Sequence, residues 1–239
     1  MYEDSPSEPA IRVEKARKHY GESATGVDAL DGVSLEVPRG QFAAIMGPSG
    51  CGKSSLLHAL GGLDRLTSGR IWLAGQPLHE LDDNELTRLR RHQLGFVFQF
   101  FNLLPTLTVA ENVRLPALLA GLPEDEAAER EASLLAEVGL DHRRAHQTHQ
   151  LSGGEMQRAA LARALMMNPP VVLADEPTGN LDSVASGKVM GLFQKLGQEH
   201  GTTIVMVTHS REVAAAAERL IEMLDGQIRA DSRQPAAAS

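Results

Sequence analysis

Two stretches far apart in the sequence carry residue types suited to chemistry. The run Gly47-Pro48-Ser49-Gly50-Cys51-Gly52-Lys53-Ser54 fits the pattern G-x-x-x-x-G-K-[ST]. Its glycines and serines let successive backbone N–H groups curl around an anion. Lys53 would neutralise β- and γ-phosphates, and the Ser54 hydroxyl would sit on Mg2+. Asp175 and Glu176 end the short apolar run Val171-Val172-Leu173-Ala174. An acidic pair there suits a Mg2+ site. Asp175 would hold the metal's water shell, and Glu176 would orient and deprotonate an attacking water. The loop implies nucleotide binding but not what is done with the nucleotide, because many reactions share it.

A third stretch, Leu151-Ser152-Gly153-Gly154-Glu155, opens a helix, with Ser152 and Glu155 at capping-box spacing. Two glycines in a first turn cost about 1 kcal/mol each against alanine. Unobstructed N–H groups facing a phosphate would offset that cost. The loop at 47–54 already holds one phosphate chain, so a second anion site suggests two molecules sandwiching nucleotide. Other candidates stay open between two readings. Gln99 could reach Mg2+ or the attacking water, or simply be solvated. His209 could hydrogen-bond a γ-phosphate, or be a surface histidine. Tyr20 could stack on adenine, or be an ordinary strand tyrosine. Cys51 lies near a helix N-terminus and Lys53, the setting of reactive thiols. It could equally be a small residue that fits the turn.

Such groups need a scaffold that brings them to one edge. Phe42–Met46 reads as a buried strand and Ser55–Leu60 as a helix, the context a phosphate loop requires. Val171–Ala174 and Thr203–Val207 suit central parallel strands. Ligands collect at the carboxyl ends of such strands. Gly95-Phe96-Val97-Phe98-Gln99 reads as another core strand. Ile11–Tyr20, Val33–Val37 and Arg70–Leu73 read as a small antiparallel sheet beside this core. Asn84–His92 reads as a helix. Val109–Ala120 and Glu124–Val138 read as two more, forming a hairpin with its own small core or a partner groove. The loop Phe100-Phe101-Asn102-Leu103-Leu104-Pro105 before them is unusually apolar, as contact sites often are. Asp182 or Ser183 caps a later helix, and Asp225-Gly226 reads as a tight hairpin turn.

The totals narrow the field. A chain of 239 residues forms one large domain or two small ones, and 42% hydrophobic residues can fill a sizeable core. The balance of 23 Lys+Arg against 31 Asp+Glu gives −8, which argues against nucleic acid as a partner. A single cysteine excludes an intramolecular disulfide and a cysteine metal cluster, and suits a reducing cytoplasm. Residues 1–10 and 231–239 read as polar tails, the first of them disordered. The N-terminus shows no secretory pattern. No apolar run approaches the about 20 residues that span a bilayer, so any membrane role is expected to run through a partner.

The order of Gly47–Ser54, Gln99, Leu151-Ser152-Gly153-Gly154-Glu155, Asp175-Glu176, Asp182 and His209 resembles the ATP-binding subunit of ABC transporters. Leu-Ser-Gly-Gly is the specific part. The resemblance covers residues 11–230, with a helical lobe at about 100–160. It implies an α/β phosphate-loop NTPase fold: a RecA-like parallel-sheet core, an antiparallel β lobe and a helical lobe. It implies ATP and Mg2+ as ligands, with Tyr20 stacking on adenine and residues 47–55, including Ser55, around the phosphates. Gln99 would link the metal to a membrane subunit docked near Phe100–Pro105. Ser152, Gly153 and Gly154, with Glu155 in the same motif, would bind the γ-phosphate held by a second copy of the chain. Glu176 would be the general base, Asp182 a cross-dimer contact and His209 the phosphate sensor. A peripheral position on the cytoplasmic face of the membrane follows.

Gly61-Gly62-Leu63-Asp64, Phe98–Pro105 and Asp175–Asp182 are further similar to the lipoprotein-releasing and macrolide-exporting branch, which also includes a cell-division ATPase. Ser55 stands where threonine is usual, and His149-Gln150 where the branch often has Pro-Ser. The rival reading is a soluble or cell-division ABC ATPase working as a nucleotide-dependent switch.

Overall fold

The computed structural model describes residues 8–21 and 26–233. In chain order it contains β1 (Ile11–Tyr20), β2 (Val27–Val37), β3 (Phe42–Met46), α1 (Lys53–Leu60), β4 (Ser68–Leu73) and β5 (Gln76–Pro77). Next come α2 (Asp83–Gln93), β6 (Leu94–Val97), α3 (Val109–Ala120), α4 (Glu124–Glu137), α5 (Gly153–Leu165) and β7 (Val171–Asp175). The chain continues with α6 (Ser183–His200), β8 (Thr203–Thr208), α7 (Arg211–Ala214), β9 (Arg219–Leu224) and β10 (Gln227–Arg233).

Two sheets organise these elements. A four-stranded antiparallel sheet has the order β2-β1-β4-β5, and a six-stranded sheet the order β10-β9-β3-β8-β7-β6. From β9 to β6 the neighbours run parallel, and only β10 is antiparallel to its partner. The apolar runs become strands covered on both faces. Every residue of β8 is buried, as are the first four of β3 and β7. Alternation then sorts side chains to opposite faces. Ala44, Val172, Ala174 and Met206 pack with α3–α6, while Ile45, Leu173, Val205 and Val207 pack with α1, α2 and the antiparallel sheet.

The register brings the strand ends level: Met46 pairs with Thr208, and Asp175 with Val207. The chain leaves β7 through Glu176 at φ 46°, yet its N–H still donates to the Val207 carbonyl at 3.0 Å. The β9–β10 turn has Asp225 and Gly226 at φ 49° and 72°, as a type I′ turn requires. Its tip braces the phosphate loop. The Gly226 N–H donates to the Cys51 carbonyl at 3.1 Å, and the Asp31 N–H of β2 donates to the Gly226 carbonyl at 2.9 Å.

Four expectations need correction. The helical hairpin has no separate core, because Val109, Val113, Ala127 and Leu135 join the cluster that holds Phe42 and Met206. Strand β6 stops at Val97, so Gln99 lies in the following loop rather than at a strand end. Pairing with β7 covers only Leu94 to Val97, opposite Val171 to Ala174, although β7 itself continues to Asp175. Strand β2 begins at Val27, earlier than expected, because β1 pairs with it out to Tyr20. Of the two expected tails, Ala10 is buried and residues 231–233 belong to β10. Residues 1–7 and 234–239 lie outside the described residues.

Candidate active site

The phosphate loop is built against its neighbours so tightly that two positions exclude a side chain. A Cβ on Gly47 would lie 2.2 Å from the Met223 carbonyl oxygen, and one on Gly52 would lie 2.1 Å from that of Ala29. Gly52 also sits at φ +100°, where a side chain is strained. It is the N-cap of α1, and no side chain caps that helix. The first-turn N–H groups are thus left for another acceptor, and the helix dipole favours an anion there. Pro48, Ser49 and Gly50 form the exposed rim, with Ser54 exposed and Ser55 half-buried at the start of the helix. Lys53 is buried, and its Nζ donates to the carbonyls of Gly47 at 2.8 Å and Pro48 at 2.9 Å. The ammonium therefore lies inside the curve of its own loop.

Cys51 is enclosed as well. It is buried in the cluster of Ile45, Leu56 and Ile221, with Sγ 3.9 Å from Lys53 Nζ. Burial favours the reading of a small residue that fits the turn. A thiol reagent such as DTNB is therefore expected to label native protein slowly and to reach one equivalent only in denaturant. Rapid stoichiometric labelling of the native chain would contradict this placement.

At the level strand ends, Ser54 Oγ donates to Asp175 Oδ1 at 3.2 Å. Burial raises the Asp175 pKa above the usual carboxylate range, opposed by the Ser54 hydrogen bond and His58. His58 Nε2 lies 3.9 Å from Asp175 Oδ2. A partly desolvated carboxylate beside a hydroxyl is a hard, oxygen-only donor pair of the kind Mg2+ takes. Among the described residues no group of three or more His, Cys, Asp or Glu could hold a metal alone. Glu176 is mostly buried, with Oε2 2.6 Å from Nδ1 of the exposed His209. Gln99 approaches this turn through Gly179, where a Cβ would lie 2.9 Å from its Nε2. Asn180 Nδ2 donates to the Gln99 carbonyl at 2.9 Å.

Tyr20 stands at the end of β1 with 43% of its surface exposed. Its hydroxyl donates to Asp64 Oδ2 at 2.6 Å, and Lys18 Nζ lies 4.7 Å from the ring centroid. Burial and the Asp64 hydrogen bond raise its pKa, while Ser55 at the start of α1 works the other way. The ring is thus held beside the phosphate-loop helix. Sequence reasoning missed both partners. Lys18 shares a strand face with Tyr20, a legible i, i+2 relation, whereas Asp64 had no signal.

The second group forms a separate cluster. Ser152 caps α5 in a capping box with Glu155. The Ser152 N–H donates to Glu155 Oε2 at 2.8 Å, and the Glu155 N–H to Ser152 Oγ at 3.3 Å. The Ser152 N–H and hydroxyl and Arg143, whose Nε donates to Oε1 at 3.0 Å, lower the Glu155 pKa to about 2 against the opposing effect of burial. Gly153 packs against Leu181, and Gly154 against Ala185. Asp182 caps α6 by accepting from the Ala185 N–H at 2.8 Å. Among the described residues no hydrogen bond or ion pair joins residues 152–155 to residues 47–55. The candidate residues thus fall into two clusters, one with Lys53, Ser54, Asp175, Glu176 and His209, the other with Ser152, Gly153, Gly154 and Asp182.

Residues 30–179 match the family described as ABC transporter. The chain is 48% identical to the macrolide export ATP-binding/permease protein MacB of Hyphomonas neptunium, over 97% of this chain and 36% of that one. It therefore spans about a third of the length of that relative. It is 45% identical to the lipoprotein-releasing system ATP-binding protein LolD of Geobacter metallireducens, over 92% of this chain and 98% of that one. Among solved structures it resembles a dimeric post-hydrolysis state of the ATP-binding cassette MJ0796 bound to ADP and Pi. The TM-score is 0.86, the identity 41%, and the match covers 94% of this chain and 99% of that one. Phosphate loop, acidic strand end and capped Ser-Gly-Gly helix thus coincide with similarity over nearly the whole chain, and the chain belongs to the ABC transporter family as an ATP-binding cassette.

Proposed function

We propose that the chain binds Mg·ATP, hydrolyses it to ADP and phosphate, and closes with a second copy around two nucleotides to drive a membrane subunit. The observation that carries this reading is the convergence of Lys53, Ser54, Asp175, Glu176 and His209 at the level carboxyl ends of β3, β7 and β8. The MJ0796 cassette, dimeric with ADP and Pi, supports hydrolysis and pairing. Ser54 and Asp175, with Gln99 in the adjoining loop, would hold Mg2+, which neutralises charge on the phosphate oxygens when bound. Lys53 places a fixed cation against the β- and γ-phosphates. Glu176 takes the proton of the attacking water, and His209 fixes the orientation of its carboxylate. Tyr20 stacks on the adenine face. Ser152, Gly153 and Gly154 of one copy, with Glu155 holding their helix start, meet the γ-phosphate of the other. Asp182, at the start of α6, would make the cross-dimer contact.

The membrane partner docks near Phe100–Pro105. Phe100 is 72% exposed, and the adjoining groove is lined by Arg91, Phe96, Phe98, Leu115, Leu119 and Arg163. No helix of the described residues is long and apolar enough to cross a membrane. The reading therefore places the cassette on the cytoplasmic face, working with a permease of the lipoprotein-release or macrolide-efflux type, as the names of LolD and MacB suggest. Phosphate release from ATP tests it. Turnover is expected with Mg2+, loss of at least about 100-fold in EDTA, and recovery when Mg2+ is restored. EDTA-insensitive release would reject the metal assignment, and no release with or without the partner would reject the ATPase.

A further inference from the structure

Arg163 has a role that neither half-site uses directly. It lies in the last turn of α5, the helix whose first turn carries Gly153 and Gly154. Its Nη2 donates to the Phe101 carbonyl at 2.9 Å and its Nη1 to the Asn102 carbonyl at 2.5 Å. Phe101 and Asn102 occupy φ 61° and 50°, an uncommon conformation for non-glycine residues that the surroundings must impose. Asn180 holds the Gln99 carbonyl from the other side. The loop carrying Gln99 and Phe100 is therefore gripped by its backbone rather than by its side chains.

The guanidinium is an expensive choice for this grip. Burial lowers its pKa from the ordinary arginine value, and among the described residues no carboxylate pairs with it. A half-buried cation without an acidic partner gives up solvation that two neutral carbonyls repay only in part. What the planar fork adds is two donors in fixed geometry, which an ammonium cannot supply. Arg163 also lines the groove beside Phe98 and Leu119.

We propose that Arg163 is a positioning residue that makes the Gln99–Asn102 segment and the helix start at Ser152–Gly154 move as one body. Motion of a partner docked on Phe100 is thereby delivered to both half-sites together. This rests on the ATPase reading above.

Arg163→Lys and Arg163→Met test it, the first keeping charge and the second keeping bulk. Amide exchange over residues 99–105 reports the grip without any need for turnover. Phosphate release reports its consequence, and binding of a fluorescent ATP analogue reports the phosphate loop. Faster exchange at 101–105 is expected in both variants, with kcat lowered about 10- to 100-fold by misplacement alone. KM and the analogue's Kd should stay within about threefold of wild type, since Arg163 contacts neither Lys53 nor the rest of residues 47–55, which would hold most of the nucleotide's charge. Unchanged exchange in Arg163→Lys would overturn the proposal, as would wild-type kcat in that variant. A parallel rise in Kd would overturn it too, by placing the effect in nucleotide binding. Should the wild type itself show no turnover, the ATPase reading falls, and the exchange data alone decide the grip.

Discussion

Glu176→Gln is expected to lower ATP turnover by about 10²- to 10⁴-fold, the usual contribution of a positioned general base, while ATP still binds. The substitution isolates proton transfer unusually well here. Glutamine keeps the shape of the side chain, and its amide oxygen can still accept from His209, 2.6 Å away in the native pair. The backbone at φ 46° remains a non-glycine residue, so stored strain is unchanged. The Ser54–Asp175 contact lies one residue back and is not touched. What disappears is a basic oxygen and one negative charge facing the phosphates. Loss of that charge favours the anionic nucleotide, so closed dimers should accumulate instead of resetting. Phosphate release gives the rate, and size-exclusion chromatography with ATP and Mg2+ gives the assembly. A variant that saturates with ATP yet stays monomeric would refute the closure part of the scheme. Near-native turnover would remove Glu176 as the base. Alanine at His209 should cost less than Glu176→Gln, because it removes an orienting partner rather than the proton acceptor.

The parts of this site that could be read in advance are those set by local pattern. Val171–Ala174 and Thr203–Val207 had to be buried strands because they are uninterrupted apolar runs, and they place Asp175 and Thr208 at one edge. The capping box at Ser152 and Glu155 follows from spacing alone. The choice between Asp182 and Ser183 as cap of α6 was not local, and the structure assigns Asp182. What escaped the sequence depends on pairs distant along the chain. Tyr20 finds Asp64, the β9–β10 turn reaches the phosphate loop at Cys51, and Arg163 reaches back to Phe101. No periodicity encodes such contacts, because they arise only when the sheet order brings the segments together. Gln99 shows the same limit at an element boundary. Its strand ends where pairing with β7 stops, at Val97, rather than with its own apolar run.

Mixing two inactive variants is expected to restore activity, and this result would bear most directly on the two half-sites. Lys53→Ala removes the cation inside the phosphate loop, and should lower turnover by about 100-fold or more. Ser152→Arg puts a bulky cation at the helix start that would face a partner's phosphate, with a comparable loss. Ser152 is exposed, so the fold loses little beyond one helix cap, about 1 kcal/mol. Among the described residues no hydrogen bond or ion pair connects the two positions within one chain. In a two-fold dimer, each nucleotide would then use the loop of one copy and the helix start of the other. A mixed dimer therefore contains one site with both lesions and one with neither. Random pairing of equal amounts yields half mixed dimers, so turnover should recover to roughly a quarter of wild type if sites act independently. Each variant alone stays inactive at any concentration, and melting curves confirm that both are folded. If mixing recovers nothing although mixed dimers form, the two half-sites do not complete one another across the interface. If Ser152→Arg alone keeps full activity, the nucleotide is served by a single chain.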